Sequence, residues 1–99
     1  MRIVPISEGN PMEFAIVGRL DTNTSPQLVQ FADGLYVHGV RDVIMDMSKC
    51  DYVASAGLRA IVALQKRAAV GGSLVLRDVK PEVMETFKMT GFDKILEFA

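Results

Sequence analysis

The sequence predicts one α/β domain with a mixed, mostly parallel sheet of four to five strands and helices packed on it. Short apolar runs of strand length alternate with segments of helical periodicity. Clusters of turn-forming residues separate them. A chain of 99 residues provides one hydrophobic core and not two. The domain is therefore expected to occupy residues 1–99, with right-handed parallel crossovers between its central strands.

Two apolar segments near the N-terminus predict a hairpin. Residues 2–7 are expected to form an edge strand, because Pro5 cannot donate a hydrogen bond to a central ladder. The turn cluster at 8–11 separates this strand from a second one at 12–18. The antiparallel pair then adds to the parallel part of the sheet.

The next segment predicts a helix followed by a central strand. Residues 21–25 are rich in helix-starting side chains, and Pro26 is acceptable in the first turn. One stripe of this helix is apolar, at Leu28, Phe31, Ala32 and Leu35. Gly39 is expected to end the helix, and residues 41–47 are expected to form a buried strand.

Residues 48–53 are interpreted as a loop that leads to a second helix. Ser55 is expected to be the N-cap of this helix, which begins at Ala56. One of its faces carries Gly57, Ala60, Ile61, Leu64 and Ala68, and the glycines at 71–72 end it.

The C-terminal part predicts a strand, a helix and a short final strand. The strand is expected at 73–77, and the helix runs from Pro81 to a stop near Gly91. The tail KILEF at 94–98 adds a short final strand, which gives the order β-β-α-β-α-β-α-(β).

Composition argues against several functional classes. The formal charge is −1 and the charges are interspersed, which does not fit direct nucleic-acid binding or a polybasic membrane patch. The single cysteine, Cys50, forms no internal disulfide and is expected to be a core residue. One histidine and one cysteine do not make a zinc site, so no metal or cofactor is expected. The N-terminus lacks the pattern of a secretory signal, so a cytoplasmic protein is expected.

Three motifs together carry a family resemblance. The main one, at 46–59, is DMSKCDYVASAGLR: an acidic residue that ends a strand, a serine two positions later, an aromatic residue, and a Ser-x-Gly-Leu turn that opens a helix. Gly-Arg-Leu-Asp at 18–21 follows the second strand, and Thr-Gly-Phe-Asp-Lys-Ile at 90–95 closes the chain. In this order, and over essentially the whole chain, they resemble the STAS domains of the anti-sigma factor antagonist type.

The resemblance implies a regulatory protein and not an enzyme. In that family the serine matching Ser55 is phosphorylated by the anti-sigma factor, which is itself a serine kinase. The unphosphorylated form binds the kinase and frees a sigma factor, the phosphorylated form dissociates, and a serine phosphatase resets the cycle. Carried over to this chain, Ser55 is the phosphoacceptor and Asp21 is the acidic residue beside it. The residues that flank the site are Ala54, Ala56 and Gly57, the expected partner contacts are Leu58 and Arg59, and a monomer is favoured.

Elementary electrostatics supports a phosphorylation switch at this place. A helix N-terminus has unpaired N–H groups and about half a positive charge, so it tolerates a phosphate. Ala56 and Gly57 are expected to leave the backbone uncovered for the approach of a kinase cleft. A phosphate adds about 1.5 to 2 negative charges, which are costly in an interface that does not pair them.

Other interpretations remain open for the same residues. Ser55 is also explained as a plain helix cap, Asp21 as a turn carboxylate, and Arg59 as part of a solvated face. Ser48 is favoured as a turn residue over a second phosphorylation site. At Ala54 the family commonly has aspartate, and this departure favours an alternative function, a STAS scaffold or transporter accessory subunit that is never phosphorylated.

An enzymatic function has little support in the sequence. The segment 53–57 lacks the first glycine of a Gly-x-Ser-x-Gly nucleophile elbow, and His38 is the only histidine that could act as a base. Glycine-rich loops of the kinds that cradle nucleotide phosphates do not occur. A small hydrolase using Ser55 is the remaining enzymatic alternative, and no catalytic residue is expected.

Overall fold

Six strands, three α-helices and one 3₁₀-helix follow one another in the computed structural model, which describes residues 1–99. Their bounds are β1 (Arg2–Ser7), β2 (Met12–Leu20), α1 (Ser25–Val37), β3 (Asp42–Asp46), β4 (Cys50–Val53), α2 (Ser55–Ala68), β5 (Ser73–Arg77), α3 (Pro81–Thr90), the 3₁₀-helix (Phe92–Lys94) and β6 (Glu97–Phe98).

The sheet is mixed and mostly parallel, as the sequence predicts. Its order is β1-β2-β3-β5-β6, where β1 pairs antiparallel with β2 and the other neighbours are parallel. Along the chain, β2, β3, β5 and β6 take successive positions across the sheet in one direction. Right-handed connections between parallel strands in this order place the three α-helices on the same face of the sheet. Buried residues alternate along β3 and β5, and one cluster of 20 residues forms the core.

The predicted number of strands is wrong. The structure has six strands instead of four to five, because residues 50–53 are not loop but the short strand β4. This strand lies off the main path and pairs in parallel with the last residues of β2, with Leu20 opposite Val53. The strand β2 therefore runs to Leu20, two residues beyond its predicted end at Gly18.

The helices lie where their apolar periodicity places them. Helix α1 has Pro26 in its first turn and buries Leu28 and Ala32, and helix α3 starts at Pro81. Gly91 ends α3 with a φ of 77°, a left-handed conformation that glycine adopts without strain. None of the helices has the length and apolar character that crossing a membrane requires.

Candidate functional site at the start of the second helix

Helices α1 and α2 begin side by side at one edge of the sheet. The strands β2 and β4 end there as parallel neighbours, with Leu20 paired to Val53. The N–H of Ala54 donates a hydrogen bond of 2.9 Å to the carbonyl oxygen of Leu20. This bond joins the loop that precedes α1, residues 21–24, to the turn that precedes α2. The structure thus brings together the motifs around 18–21 and 46–59.

Gly57 lies in the first turn of α2, pressed against the end of β2. A Cβ atom at this position would lie 2.8 Å from both the carbonyl oxygen and the Cγ atom of Leu20. Only glycine allows this approach. The expectation that Gly57 leaves backbone open to a partner is wrong, because the residue is buried against the strand.

Ser55 is the first residue of α2 and its side chain is exposed. The predicted N-cap at Ser55 is wrong by one residue, because Ala54 has the extended conformation of an N-cap, with φ −86° and ψ 173°. No side chain caps the helix. The hydroxyl of Ser55 makes no hydrogen bond to the rest of the chain, so it is available to a visiting molecule.

The first backbone N–H groups of α2 precede its hydrogen-bonded ladder. The N–H of Leu58 donates the first helical bond, 2.9 Å long, to the carbonyl oxygen of Ala54. The N–H groups of Ser55, Ala56 and Gly57 come before it, and the first turn contains no acidic residue. Such an end carries a partial positive charge that favours an anion.

Asp21 organises the loop before α1. Its Oδ1 atom accepts hydrogen bonds from the N–H of Asn23 (3.0 Å), the N–H of Thr24 (3.1 Å) and the hydroxyl of Thr24 (3.2 Å). Partial burial acts to raise the pKa of Asp21, but these bonds and nearby Arg19 outweigh it, so the pKa lies below its ordinary value of 3.8. The hydrogen bonds of the Asp21 carboxylate all lie within its own turn and do not extend to Ser55.

The two predicted partner contacts separate in the structure. Leu58 is 3% exposed and belongs to the hydrophobic core, so its assignment as a contact residue is wrong. Leu58 faces inward because it lies about one helical turn before the buried residue Ile61, on the same side of α2. Arg59, in contrast, is exposed on the outer side of α2.

A groove of about 500 Å³ runs between the first turns of α1 and α2. Its lining is mostly apolar surface, and Arg59 is the only charged residue among Thr22, Ser25, Pro26, Val29, Gln30, Ala56, Arg59 and Ala60. The contribution of α1 to this groove is not predicted from the sequence. Val29 and Gln30 lie off the apolar stripe of α1, and that position is the signal that could have identified them as surface residues.

A second cation lies on the same edge of the sheet. The guanidinium of Arg19 is 4.2 Å from the centroid of the Tyr52 ring, in a cation–π contact between the paired strands β2 and β4. Both residues are exposed. This pair is not predicted from the sequence, because residues 48–53 are expected there to form a loop.

Comparison with known proteins identifies the family. The family model described as "Mlab, STAS domain" matches residues 6–97. The chain belongs to the STAS domain family.

Two kinds of relatives resemble this STAS domain. "Putative anti-sigma factor antagonist BtrV" from Bordetella bronchiseptica is 42% identical over 62 residues, which are 62% of this chain and 53% of that protein. The matching segment thus spans about half the length of the curated relative. An anti-sigma factor antagonist from Mycobacterium paratuberculosis has a TM-score of 0.86 at 18% identity, over 98% of this chain and 83% of that one. SpoIIAA from Bacillus in its phosphorylated form has a TM-score of 0.74 at 16% identity, over 99% and 91%. These structures show the fold.

His38 and Cys50 lie away from Ser55 in this STAS domain. His38 is the C-cap of α1, with Nδ1 2.7 Å from the carbonyl oxygen of Gly34. Helix α1 has 13 residues, so its two ends are about 20 Å apart. The structure therefore forms no Ser–His pair. Cys50 is buried in the core as predicted, and burial raises the pKa of its thiol.

Proposed function

We propose that this STAS domain is an anti-sigma factor antagonist that binds an anti-sigma factor serine kinase of the ATPase-fold type. Phosphorylation of Ser55 releases the kinase, and a serine phosphatase restores binding. One observation carries the proposal: an exposed hydroxyl stands at the first residue of α2, ahead of the hydrogen-bonded ladder. The similarity to the Bordetella relative supports the same class of function.

The partner surface in this proposal consists of the Ser55 turn, the exposed side of α2 and the neighbouring groove. Ala54, Ala56 and Arg59 contribute to it, and Asp21 supports it by fixing the loop before α1. Gly57 contributes indirectly, because it seats the helix on β2. The surface is shallow. The proposed mechanism requires no metal or cofactor bound to it.

A phosphate on Ser55 would change binding without unfolding the domain. It adds about 1.5 to 2 negative charges beside N–H groups that favour an anion, so the folded state tolerates it. In a docked complex the same charge, if unpaired, costs several kcal/mol. A loss of about 3 kcal/mol weakens binding roughly a hundredfold. The proposed protein is a non-enzymatic, cytoplasmic monomer that regulates transcription through sigma-factor availability and does not itself bind nucleic acid or membrane.

The direct test is phosphorylation by candidate kinases. The wild type, Ser55→Ala and Ser48→Ala are incubated with each purified kinase and ATP, and phosphate is located by mass spectrometry. We expect phosphate on Ser55 in the wild type and in Ser48→Ala, and none on residue 55 in Ser55→Ala. Ser48 is a suitable control because its N–H is held by Asp46 Oδ1 at 2.8 Å in a turn. Phosphate on Ser48 in place of Ser55 would contradict the proposal.

Binding to the kinase that phosphorylates Ser55 provides the second test. Ser55→Asp is expected to weaken binding at least tenfold in calorimetry, while its melting temperature stays at the wild-type value or rises by a few degrees. Ser55→Ala is expected to bind regardless of ATP. Equal affinities for the wild type, its phosphorylated form and Ser55→Asp would rule out a switch at this residue.

Ala54 favours a second candidate, a STAS scaffold or transporter accessory subunit that is never phosphorylated. At the N-cap, where the family commonly has aspartate, Ala54 provides no carboxylate beside the hydroxyl. The two candidates differ in one observable: the fraction of Ser55 that carries phosphate in protein purified from its native cell. A fraction of zero under every growth condition, together with failure of all the kinases, would favour the scaffold. Turnover of generic esters that is lost in Ser55→Ala would instead reveal a hydrolase.

A further inference from the structure

Arg59 lies one helical turn after Ser55 on α2. Residues at i and i+4 of a helix are neighbours, with Cβ atoms about 6 Å apart. Both side chains are exposed. Arg59 forms no ion pair and no side-chain hydrogen bond, whereas Arg67 is paired with Asp33 and Arg77 with Glu13. A free guanidinium thus stands within reach of the proposed phosphorylation site.

We propose that Arg59 is an intrachain clasp for phosphoserine at position 55. This proposal rests on the proposed function, and it specifies which side chain binds the phosphate on Ser55. A phosphate at 55 and a guanidinium at 59 have the favourable order, with the anion N-terminal to the cation. The planar guanidinium donates two parallel N–H bonds to phosphate oxygens, and the N–H groups at the start of α2 complete the coordination of the dianion.

The clasp gives phosphorylation two effects on the partner surface. Arg59 is the only charged residue that lines the groove between α1 and α2. When its guanidinium turns toward residue 55, the groove loses its cation at the same time as the helix start gains an anion. A partner that places a carboxylate against Arg59 therefore loses its counter-ion and meets a negative charge. The modification replaces one surface by another of opposite sign.

The experiment measures the second pKa of the phosphate by ³¹P NMR. Phosphoserine is introduced at position 55 during translation, so no kinase is needed, and the wild type is compared with Arg59→Gln. The dianion is stabilised by the clasp, so the second pKa of the phosphate, ordinarily near 6, is expected to be lower in the wild type by about 0.3 pH units at low salt. Arg59→Lys is expected to retain part of the difference, because ammonium is a cation without the planar fork.

Lys66→Gln is the matched control. Lys66 is another exposed cation of α2, but it lies 11 residues after Ser55, about 16 Å along the axis. Its removal changes the net charge as Arg59→Gln does and is expected to leave the phosphate pKa at the wild-type value. The other charged groups at the carboxyl end of the strands, among them Arg19, Asp21 and the Lys80–Asp51 pair, are the same in all variants. The difference between wild type and Arg59→Gln should disappear in 1 M salt.

The outcomes separate this inference from the proposed function. Equal phosphate pKa values in the wild type and Arg59→Gln at low salt would overturn the clasp, whether or not a kinase phosphorylates Ser55. An equal rise in Lys66→Gln would also overturn it, because the effect would then follow net charge alone. Failure of every kinase would remove the proposed function but would leave the measurement on the translated phosphoserine unaffected.

Discussion

Helices α1 and α2 both begin with serine, and the two serines have opposite environments. Ser25 is 6% exposed, its hydroxyl donates to the carbonyl oxygen of Asp21 at 2.5 Å, and its N–H donates to the same oxygen at 2.9 Å. Ser55 is exposed and makes no such bonds. The loop before α1 supplies an acceptor for both the hydroxyl and the N–H of Ser25, whereas the turn before α2 supplies none for Ser55.

The difference shows how one edge of a sheet combines rigidity with an accessible hydroxyl. The loop at 21–24 is closed by Asp21 and Thr24, whose hydroxyl bonds the carbonyl oxygen of Arg19 at 2.8 Å. That loop is joined to the turn before α2 through Leu20 and Ala54. The start of α1 is therefore fixed by its own hydrogen bonds. The start of α2 is exposed and is supported by the loop that precedes α1.

The largest contrast is expected between Ser25→Asp and Ser55→Asp. A carboxylate at position 25 is buried and loses the bond to Asp21, so the free energy of unfolding should fall by about 3 kcal/mol or more. At position 55 the same carboxylate stands at an uncapped helix start, and stability should be unchanged or rise by up to about 1 kcal/mol. Urea titrations of both variants measure the difference. Similar losses would show that the two helix starts are equivalent after all.

Gly57→Ala tests the contact that seats α2 on β2. The added Cβ meets Leu20 at 2.8 Å, which should cost about 1 to 3 kcal/mol of unfolding free energy. Gly34→Ala in α1 is the control, because nothing lies within 4 Å of a Cβ there. That change is expected to stabilise by about 0.5 to 1 kcal/mol through helix propensity. Two stabilised variants would contradict the close approach of α2 to the strand.

Ala54→Asp and Ala54→Ser should give α2 the cap that it lacks. Ala54 already has the extended conformation of an N-cap, so an oxygen on its side chain can accept from the first N–H groups. Each change is expected to raise the free energy of unfolding by about 0.5 to 1 kcal/mol. The gain from aspartate should fade as the pH drops below about 4 and the carboxylate is protonated, while the gain from serine persists. No gain in either variant would mean that the N–H groups are already satisfied.

The smallest effect is expected from Asp21→Asn. The pKa of Asp21 is lower in the folded state than its ordinary value, so its ionised form stabilises the fold above that value and the contribution is lost as the pH falls through the folded pKa. Asparagine keeps an acceptor for the loop but not the charge. The melting temperature should fall by a few degrees at pH 7 and converge with that of the wild type as the pH falls through the lowered pKa of Asp21. A constant difference over this range would exclude titration of Asp21 as its source.

Most of the fold follows from local patterns in the sequence. The short apolar strand segments, the stripe of α1 and the stop at Gly91 depend on neighbours in the chain, and the structure confirms them. Strand β4 does not: it has only four residues, two of them exposed, and it pairs with residues of β2 that lie 32 or 33 positions earlier in the chain. Gly57 and Leu58 differ from β4, because the predicted apolar face of α2 already contains Gly57 and Ile61. Helical periodicity alone therefore indicates that both residues are covered, against the partner-facing role expected of them.

The contact between Gly57 and Leu20 has a consequence for how a signal can leave this molecule. The first turn of α2 rests on both the backbone and the side chain of Leu20, with no room at Gly57 even for a Cβ atom. In the proposed function, a phosphate on Ser55 would therefore alter the surface around the helix start and leave the packing of α2 on β2 unchanged.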